Sequence, residues 1–308
     1  MSDGFQTLNP AEIINENVVC DLCHSDQTTP VHQFSWMGYQ GHFVKCTSCG
    51  LIYQNPRPVA ESRFKLFQSL EYWNHQQAQK QRSRDFLNYN SYLGESEWRK
   101  RTSQIRLKWI TPHIPKGARV LDIGCADGQF ADTLAQGGFD ASGMDISLPM
   151  IEAGRKRYDV NLIHGALEGD WPDCGQFDAI TCIASLSTFS SPKAVFANVQ
   201  KHLKKGGIFF FNYGDYDRVL SRMFGARYPY FRLSATYLYT SETIQKYCTQ
   251  AGLDLRMKWT DMQVIPIIRP FKDLGFPKTA QFMSAIGLDQ TMIKVPIPIG
   301  YFAYAIIA

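Results

Sequence analysis

The sequence has few of the features that mark secreted, membrane-spanning or nucleic-acid-binding proteins. Residues 1–6 contain no basic region followed by an apolar core, so the sequence predicts no signal peptide. No apolar run reaches the roughly 18 residues of a membrane span. The net charge of only +4 argues neither for nor against a nucleic-acid partner. With 308 residues, 44% of them hydrophobic, the chain can bury a sizeable core, and we expect a cytoplasmic protein with no membrane partner.

Four of the eight cysteines form two short pairs near the amino terminus, Cys20-x-x-Cys23 and Cys46-x-x-Cys49. A two-residue gap lets both thiolates point inward from one tight loop, and Gly50 can take the left-handed conformation that such loops often require. Two loops of this kind complete a tetrahedral four-sulfur site, which fits Zn²⁺. We therefore predict a zinc ribbon with a small hairpin sheet between the pairs, in which the metal is structural and drives folding.

A glycine-rich turn follows an apolar strand in the middle of the chain. The turn reads Asp122-x-Gly124-x-x-x-Gly128, and a second short apolar stretch ends at Asp145. Gly124 and Gly128 let the backbone turn tightly and approach a ligand, and a carboxylate about 20 residues further on can accept hydrogen bonds from ribose hydroxyls. This layout predicts a nucleoside-binding βαβ unit, with an ordinary α/β turn containing two structural glycines as the alternative.

The turn lacks the G-x-G-x-x-G spacing of a dinucleotide site. Instead, Asp122 stands two residues before the first glycine, where its negative charge would repel a pyrophosphate. The position suits a cationic ligand that carries an amino group. These residues resemble the first motif of class I S-adenosylmethionine (SAM) methyltransferases, and Asp145 resembles their ribose-binding acid.

The cysteine ribbon and its exit, Cys46 to Pro58, strengthen the resemblance. Together with the glycine turn they are similar to bacterial class I methyltransferases with an N-terminal zinc-binding domain, many of which act on sugars or natural products. The resemblance spans roughly residues 18–260. It implies a zinc-ribbon domain at 1–58, a helical connector or lid at 59–112 and a methyltransferase domain at 113–308.

The alternation of apolar strands and helical segments predicts an α/β fold with a seven-stranded, doubly wound, Rossmann-like sheet. Helices are expected over 61–70, 72–92 and 95–109 in the connector. The ligand should lie at the carboxyl ends of the strands. The resemblance implies the following cofactor-binding residues: Asp122, Gly124, Cys125, Gly128, Asp145, Ile146, Ala166, Leu167, Ile183, Tyr72 and Arg101. Family members often carry a carboxylate at the position of Ala166, which this chain lacks.

Two histidines that relatives often carry near the acceptor are also missing. The places where they would stand read Ser185 to Phe189 and Leu233 to Tyr239. Tyr213 and Asp215, which follow the fifth strand most closely, are therefore the first candidates for catalytic residues. The proline-containing segment 263–298 is predicted to cap the acceptor site or to form a dimer face, with an inert surface excursion as the alternative.

These observations leave three functional hypotheses. The first is SAM-dependent methyl transfer to a small molecule such as a sugar nucleotide or natural-product intermediate, by a monomer or homodimer that carries a structural Zn²⁺. The second is RNA methylation with the ribbon as the RNA grip, which is disfavoured because Lys45 is the only lysine or arginine between Cys20 and Cys49. The third is an inactive scaffold with a SAM-binding fold.

Overall fold

A computed structural model of the chain describes residues 4–36, 38–73, 96–172, 174–228, 230–269, 271, 276–288 and 291–307. Most of the predicted helix 72–92 lies outside these described residues. None of the helices described is long and apolar enough to cross a membrane.

A seven-stranded sheet forms the centre of the molecule. Its strands are β6 (Arg119–Ile123), β7 (Asp140–Asp145), β8 (Asn161–His164), β9 (Phe177–Cys182), β10 (Leu203–Gly214), β12 (Leu253–Pro266) and β13 (Met292–Ile307). They are arranged in the order β12-β13-β10-β9-β6-β7-β8. The five strands from β10 to β8 are parallel, whereas β13 pairs antiparallel with β10 and with β12. The predicted doubly wound α/β fold is therefore confirmed.

Helices and smaller sheets surround this centre. The helices are α1 (Ala60–Gln68), α2 (Leu70–Trp73), α3 (Ser96–Ile110), α4 (Gln129–Gln136), α5 (Leu148–Arg155), α6 (Pro192–His202), α7 (Val219–Phe224), α8 (Ser241–Gln250) and α9 (Pro277–Ala285). The N-terminal strands are β1 (Asn15–Glu16), β2 (Thr28–Trp36), β3 (Tyr39–Cys46), β4 (Ile52–Gln54) and β5 (Arg57–Pro58), and β11 (Tyr237–Leu238) lies between α7 and α8.

The sequence of β10 shows why the sheet is covered on both faces. Phe209, Phe210 and Phe211 are consecutive and fully buried. Side chains alternate between the faces of a strand, so Phe209 and Phe211 pack into one core cluster, with Phe196 of α6, while Phe210 joins another with Ile110 of α3. A continuous apolar run is the expected pattern for a strand buried on both sides.

The N-terminal ribbon is joined to the rest of the chain by backbone pairing and by a shared core. β2, β3 and β4 form an antiparallel sheet whose fourth strand is β11, from far along the chain. The side-chain amide of Gln54 donates to the backbone carbonyls of Arg232, Leu233 and Ala235 at 2.6–3.2 Å. Cys20, Cys46, Cys49 and Leu51 belong to the same apolar cluster as Phe209. The ribbon thus packs as part of one body.

The segment 263–298 differs in part from its prediction. Its two ends extend β12 and β13 as a long antiparallel hairpin, in which Val264 lies opposite Lys294. The Val264 amide donates to the Thr102 hydroxyl of α3 at 2.9 Å, and the Arg269 guanidinium lies over the Trp98 ring. These contacts place the hairpin against α3.

Candidate functional site

The glycine turn between β6 and α4 has the conformation that its sequence predicts. Gly124 and Gly128 have φ angles of 69° and 77°, in the left-handed region. A Cβ atom at Gly124 would lie 2.4 Å from the Ser185 hydroxyl, and one at Gly128 would lie 2.5 Å from a methyl group of Leu162. Both positions therefore require glycine for conformation and for space.

Asp145 lies at the carboxyl end of β7, beside this turn. Its carboxylate accepts hydrogen bonds from the backbone amides of Ala126 and Ser147, each at 2.8 Å. Burial raises the pKa of the Asp145 carboxyl, and the two amides oppose that rise. A carboxylate offers about four lone-pair sites, so two amides leave capacity for further donors such as ribose hydroxyls.

Asp122 has a different environment, inside β6. It is 2% exposed, and its carboxylate accepts a hydrogen bond of 2.6 Å from the Thr181 hydroxyl of β9. Burial, opposed by this hydrogen bond, raises the pKa of Asp122 to about 7. The side chain supports the turn from below and does not border the cavity described next.

A cavity of about 340 Å³ opens at the carboxyl ends of β6, β7, β8 and β9. Seven of the residues expected to bind cofactor border it: Tyr72, Gly124, Asp145, Ile146, Ala166, Leu167 and Ile183. The turn and Asp145 border the cavity from the sheet, and residues of α1 and α2 border it from the connector. The position agrees with the rule that ligands of doubly wound sheets bind beyond the strand ends.

Four other expected residues lie away from this cavity. Asp122 and Gly128 support the turn, as described above. The Cys125 thiol is buried against Gly143 and Leu162, and burial raises its pKa, so it fills space beneath the turn. Arg101 lies on the exposed face of α3, where it forms a 2.8 Å ion pair with Glu97.

The two catalytic candidates, Tyr213 in β10 and Asp215 just after it, do not border this cavity either. The Tyr213 hydroxyl lies 3.3 Å from the Ser241 hydroxyl, and the Asp215 carboxylate accepts a hydrogen bond from the same Ser241. Asp215 borders a separate open groove near α8. Because side chains alternate along a strand, Asn212 is the residue directed toward the cofactor side, where its Oδ1 accepts from the Ala184 amide at 2.6 Å.

Several cavity residues were not found from the sequence. They are Arg63, Phe64 and Phe67 of α1, Trp73 of α2, Glu168, and residues 184, 185 and 188–190 of the loop after β9. Glu168 is the acid that the sequence offers closest to Ala166, and its carboxylate accepts from the Ser190 amide at 2.8 Å. Arg63 is 3% exposed and donates to the Ser190 hydroxyl at 2.9 Å and to the Thr188 carbonyl. A buried arginine in a short amphipathic helix gives little sequence signal.

The four ribbon cysteines converge as the spacing predicts. Their sulfur atoms all lie within 4.8 Å of one another. Gly50 has a φ of 82°, and its amide donates to the Cys46 carbonyl at 3.0 Å, which closes the second loop. Burial raises the pKa of Cys20 and of Cys49; at Cys46 burial is outweighed by the Cys49 and Ser48 amides, which lower the pKa to about 7. Four sulfur ligands in this spacing fit a closed tetrahedral zinc site.

The fold and site together define a nucleoside-binding α/β protein of the methyltransferase class. A family model described as a methyltransferase domain matches residues 89–257, more than half of the chain. The chain belongs to this family, and it is a SAM-dependent methyltransferase.

Curated relatives agree with this assignment. The ubiquinone biosynthesis O-methyltransferase of Azoarcus sp. (strain BH72) is 29% identical over 170 residues, which cover 49% of this chain and 71% of that protein. The protein of the same name from Coxiella burnetii (strain RSA 493 / Nine Mile phase I) is 31% identical over 141 residues, 44% of this chain and 57% of that protein. This chain therefore spans little more than half of the Coxiella protein.

A solved structure shares the fold. Magnesium protoporphyrin IX methyltransferase from Synechocystis PCC 6803, determined with bound S-adenosylhomocysteine (SAH), has a TM-score of 0.50 and 15% identity. The match covers 77% of this chain and 97% of that one.

Proposed function

We propose that this protein transfers a methyl group from SAM to a hydroxyl oxygen of a small, ring-bearing acceptor. The observation that carries the proposal is the aromatic side of the cavity. Phe64, Phe67, Tyr72 and Trp73 border it from α1 and α2, and Phe189 borders it from the loop after β9. Aromatic side chains bind planar rings through dispersion and through offset or edge-to-face stacking.

The other residues that border the cavity would hold the cofactor. Asp145 would accept the ribose hydroxyls, Gly124 would let the backbone approach the ligand, and Ile146, Ala166 and Leu167 would flank the adenine. When bound, SAM supplies an electrophilic methyl group on a sulfonium. The chain's own contribution is to orient the acceptor in line with that group and to exclude water with α1 and α2.

The chemistry of the wall favours a neutral acceptor over a nucleotide-linked one. Of the described residues that border the cavity, Arg63 is the only lysine or arginine, and its guanidinium already donates to Thr188 and Ser190. A diphosphate needs several such donors. The described lining contains no histidine, so the proton of the acceptor hydroxyl would pass to a carboxylate of the lining or to solvent. The names of the relatives support oxygen as the methylated atom.

A turnover assay tests this proposal. SAH formation would be measured with SAM and three acceptor sets: catechols and dihydroxybenzoates, nucleoside diphosphate sugars, and total RNA. We expect turnover with the phenolic set, a product that gains a methoxy group by mass spectrometry, and no RNA methylation. Methylation of the sugar nucleotides or RNA alone would contradict the proposed acceptor class.

We also propose that Cys20, Cys23, Cys46 and Cys49 hold one structural Zn²⁺, which implies a reducing compartment such as the cytoplasm. The support is the mutual approach of the four sulfur atoms. Elemental analysis should find one zinc per chain in the wild type and in Cys174→Ser, whose cysteine lies outside the cluster, and none in Cys46→Ser. Equal zinc in both variants would contradict the assignment.

The apolar residues Phe276, Phe282 and Ile286 on and beside α9 are more than half exposed. We propose that this surface forms the dimer face expected for the segment 263–298. None of the described residues that border the cavity comes from that segment, so the capping role has less support. A concentration-dependent mass by analytical ultracentrifugation, abolished in Phe282→Ser, would support the dimer.

A further inference from the structure

One carboxylate of the cysteine ribbon contacts the methyltransferase sheet region directly. Asp21 lies between Cys20 and Cys23, inside the first cysteine loop. Its Oδ1 accepts from the Ser191 hydroxyl at 2.6 Å, and its Oδ2 accepts from the Lys193 amide and the Tyr247 hydroxyl, each at 2.9 Å. Three donors on one half-buried carboxylate make this a specific contact.

Two of the three partners of Asp21, Ser191 and Lys193, lie at the start of α6, and Tyr247 belongs to α8. Ser191 is the N-cap residue of this helix, and its side chain also accepts from the Ala194 amide at 3.2 Å. The Lys193 amide belongs to the first turn, where backbone N–H groups have no partner within the helix. A carboxylate here is favoured by the helix dipole as well as by its hydrogen bonds. Asp21 therefore fixes the amino terminus of α6.

The residues just before α6 form a wall of the cofactor cavity. The loop 183–190 runs from the end of β9 to Ser191, and six of its residues border the cavity. Its last residue, Ser190, is held from the cavity side by Glu168 and Arg63. The loop is thus fixed at one end by β9 and at the other by α6, whose start depends on Asp21.

We propose that Asp21 is a positioning residue of the methyltransferase: it couples the metal-bound order of the first cysteine loop to the loop 183–190, and so to cofactor affinity. The metal part of this coupling rests on the proposed zinc site. The contact between Asp21 and α6 does not, because its hydrogen bonds are present in the structure itself.

The test compares Asp21→Ala with Asp26→Ala in the whole 308-residue chain. Asp26 is the matched control because it lies in the same part of the ribbon, is exposed, and among the described residues accepts a hydrogen bond only from its neighbour Gln27. Three quantities would be measured for each variant: zinc content, SAH affinity by calorimetry, and hydrogen exchange of peptides covering 183–191 and 119–123.

We expect Asp21→Ala to keep one zinc but to bind SAH roughly 5- to 150-fold more weakly, the range of typical coupling between two sites. Exchange should become faster at 183–191 and stay unchanged at 119–123 in β6. A general loss of stability would accelerate both segments, which separates positioning from a merely structural role. Asp21→Asn keeps one acceptor oxygen and should lie between Ala and wild type, and it replaces Asp21→Ala if that variant does not fold.

Metal removal supplies the second arm. A zinc chelator should weaken SAH binding and accelerate exchange at 183–191 in the wild type and in Asp26→Ala, with little further effect in Asp21→Ala. Wild-type affinity and exchange in zinc-loaded Asp21→Ala would overturn the proposal. Absence of zinc from the purified wild type would instead overturn the metal assignment. Absence of SAH binding by the wild type would overturn the cofactor site. In either case, hydrogen exchange at 183–191 still tests the contact between Asp21 and α6.

Discussion

At the scale of single residues, two buried aspartates near the glycine turn have different roles. Asp145 borders the cavity and is stabilised as a carboxylate by two amides, whereas Asp122 is enclosed between strands with one hydroxyl donor. Both were expected to bind the cofactor. Asp122 does not border the cavity, so its charge state should affect the stability of the folded protein more than ligand binding. Its ionisation is unfavourable in the folded state because the carboxyl is buried.

Replacing Asp122 with Asn should change the pH dependence of stability. Burial raises the pKa of Asp122 from 3.8 to about 7 in the folded state, so between these values the native carboxyl keeps a proton that the unfolded chain has lost. Its contribution to stability is therefore present at low pH and is lost as the pH rises toward 7. We expect the fall in unfolding free energy from pH 5 to pH 8 to be smaller in Asp122→Asn by roughly 2–3 kcal/mol.

Urea unfolding of both proteins at several pH values measures this difference. The subtraction removes the contribution of titrating groups that do not interact with Asp122. A wild-type minus variant difference that stays constant from pH 5 to 8 would contradict the assigned environment of Asp122.

The sequence identifies those site residues whose spacing is set by backbone geometry. The glycines and Asp145 are found because turn and strand impose their positions. Tyr213 and Asp215 were ranked by distance from the strand end, but the alternation of side chains directs them to α8 and directs Asn212 to the cavity loop. The contact of Arg63 with Thr188 joins residues that are 125 positions apart in the chain, so no local sequence pattern predicts it.

At the scale of elements, the glycine turn is the most constrained piece of the fold. Gly128 combines a left-handed φ with a close approach to Leu162 on β8. Gly117 has nearly the same φ, 75°, but nothing lies within 4 Å of the position of its Cβ. Substituting each of the two glycines therefore separates the cost of backbone strain from the cost of steric overlap.

We expect Gly117→Ala to lower the unfolding free energy by about 1 kcal/mol, the cost of a left-handed non-glycine residue. Gly128→Ala should cost a further 1–3 kcal/mol or so, because the added methyl group overpacks the contact with Leu162. Chemical denaturation at one pH measures both. An equal loss of unfolding free energy in the two variants would show that the turn relaxes around the added methyl group, and it would contradict the predicted overlap with Leu162.

The sequence predicts elements better than it predicts their partners. The helix predicted over 95–109 is found as α3 within one residue of these bounds, since it buries an apolar face. The pairing of β11 with β4 was not predicted, because the two strands are short and lie far apart in the chain. The extension of β12 and β13 into a long hairpin was not predicted because its prolines resemble loop punctuation. Pro266 ends β12, and Pro296 lies within β13, opposite Met262.

At the scale of the whole molecule, the ribbon and the sheet share one core. Three of the four ribbon cysteines, all but Cys23, pack with Leu51 in the same cluster as Phe209 and Tyr247. Gln54 donates to three carbonyls of the segment before β11. The division into 1–58, 59–112 and 113–308 is a hypothesis about ancestry or function, and the contacts predict that the three parts do not unfold separately.

We therefore expect a single calorimetric unfolding transition for the zinc-loaded protein, with equal calorimetric and van't Hoff enthalpies. Chelation of zinc should lower the temperature of this transition, since metal that binds only the folded state stabilises the whole cooperative unit. Two resolved transitions, or an upper transition unaffected by the chelator, would mean that the ribbon is energetically independent.

The central claim is that the cavity beyond β6 to β9 holds the nucleoside of SAM through Asp145. The most direct measurement is a calorimetric titration of SAH into the wild type, Asp145→Ala and Asp140→Ala. Asp140 begins the same strand β7 but is exposed at the far end, which makes it the control. We predict about tenfold or greater weakening in Asp145→Ala, since hydrogen bonds to a charged acceptor contribute roughly 1.5–3 kcal/mol, and wild-type affinity in Asp140→Ala. Equal SAH affinity in all three proteins, or no binding by the folded wild type, would contradict the account.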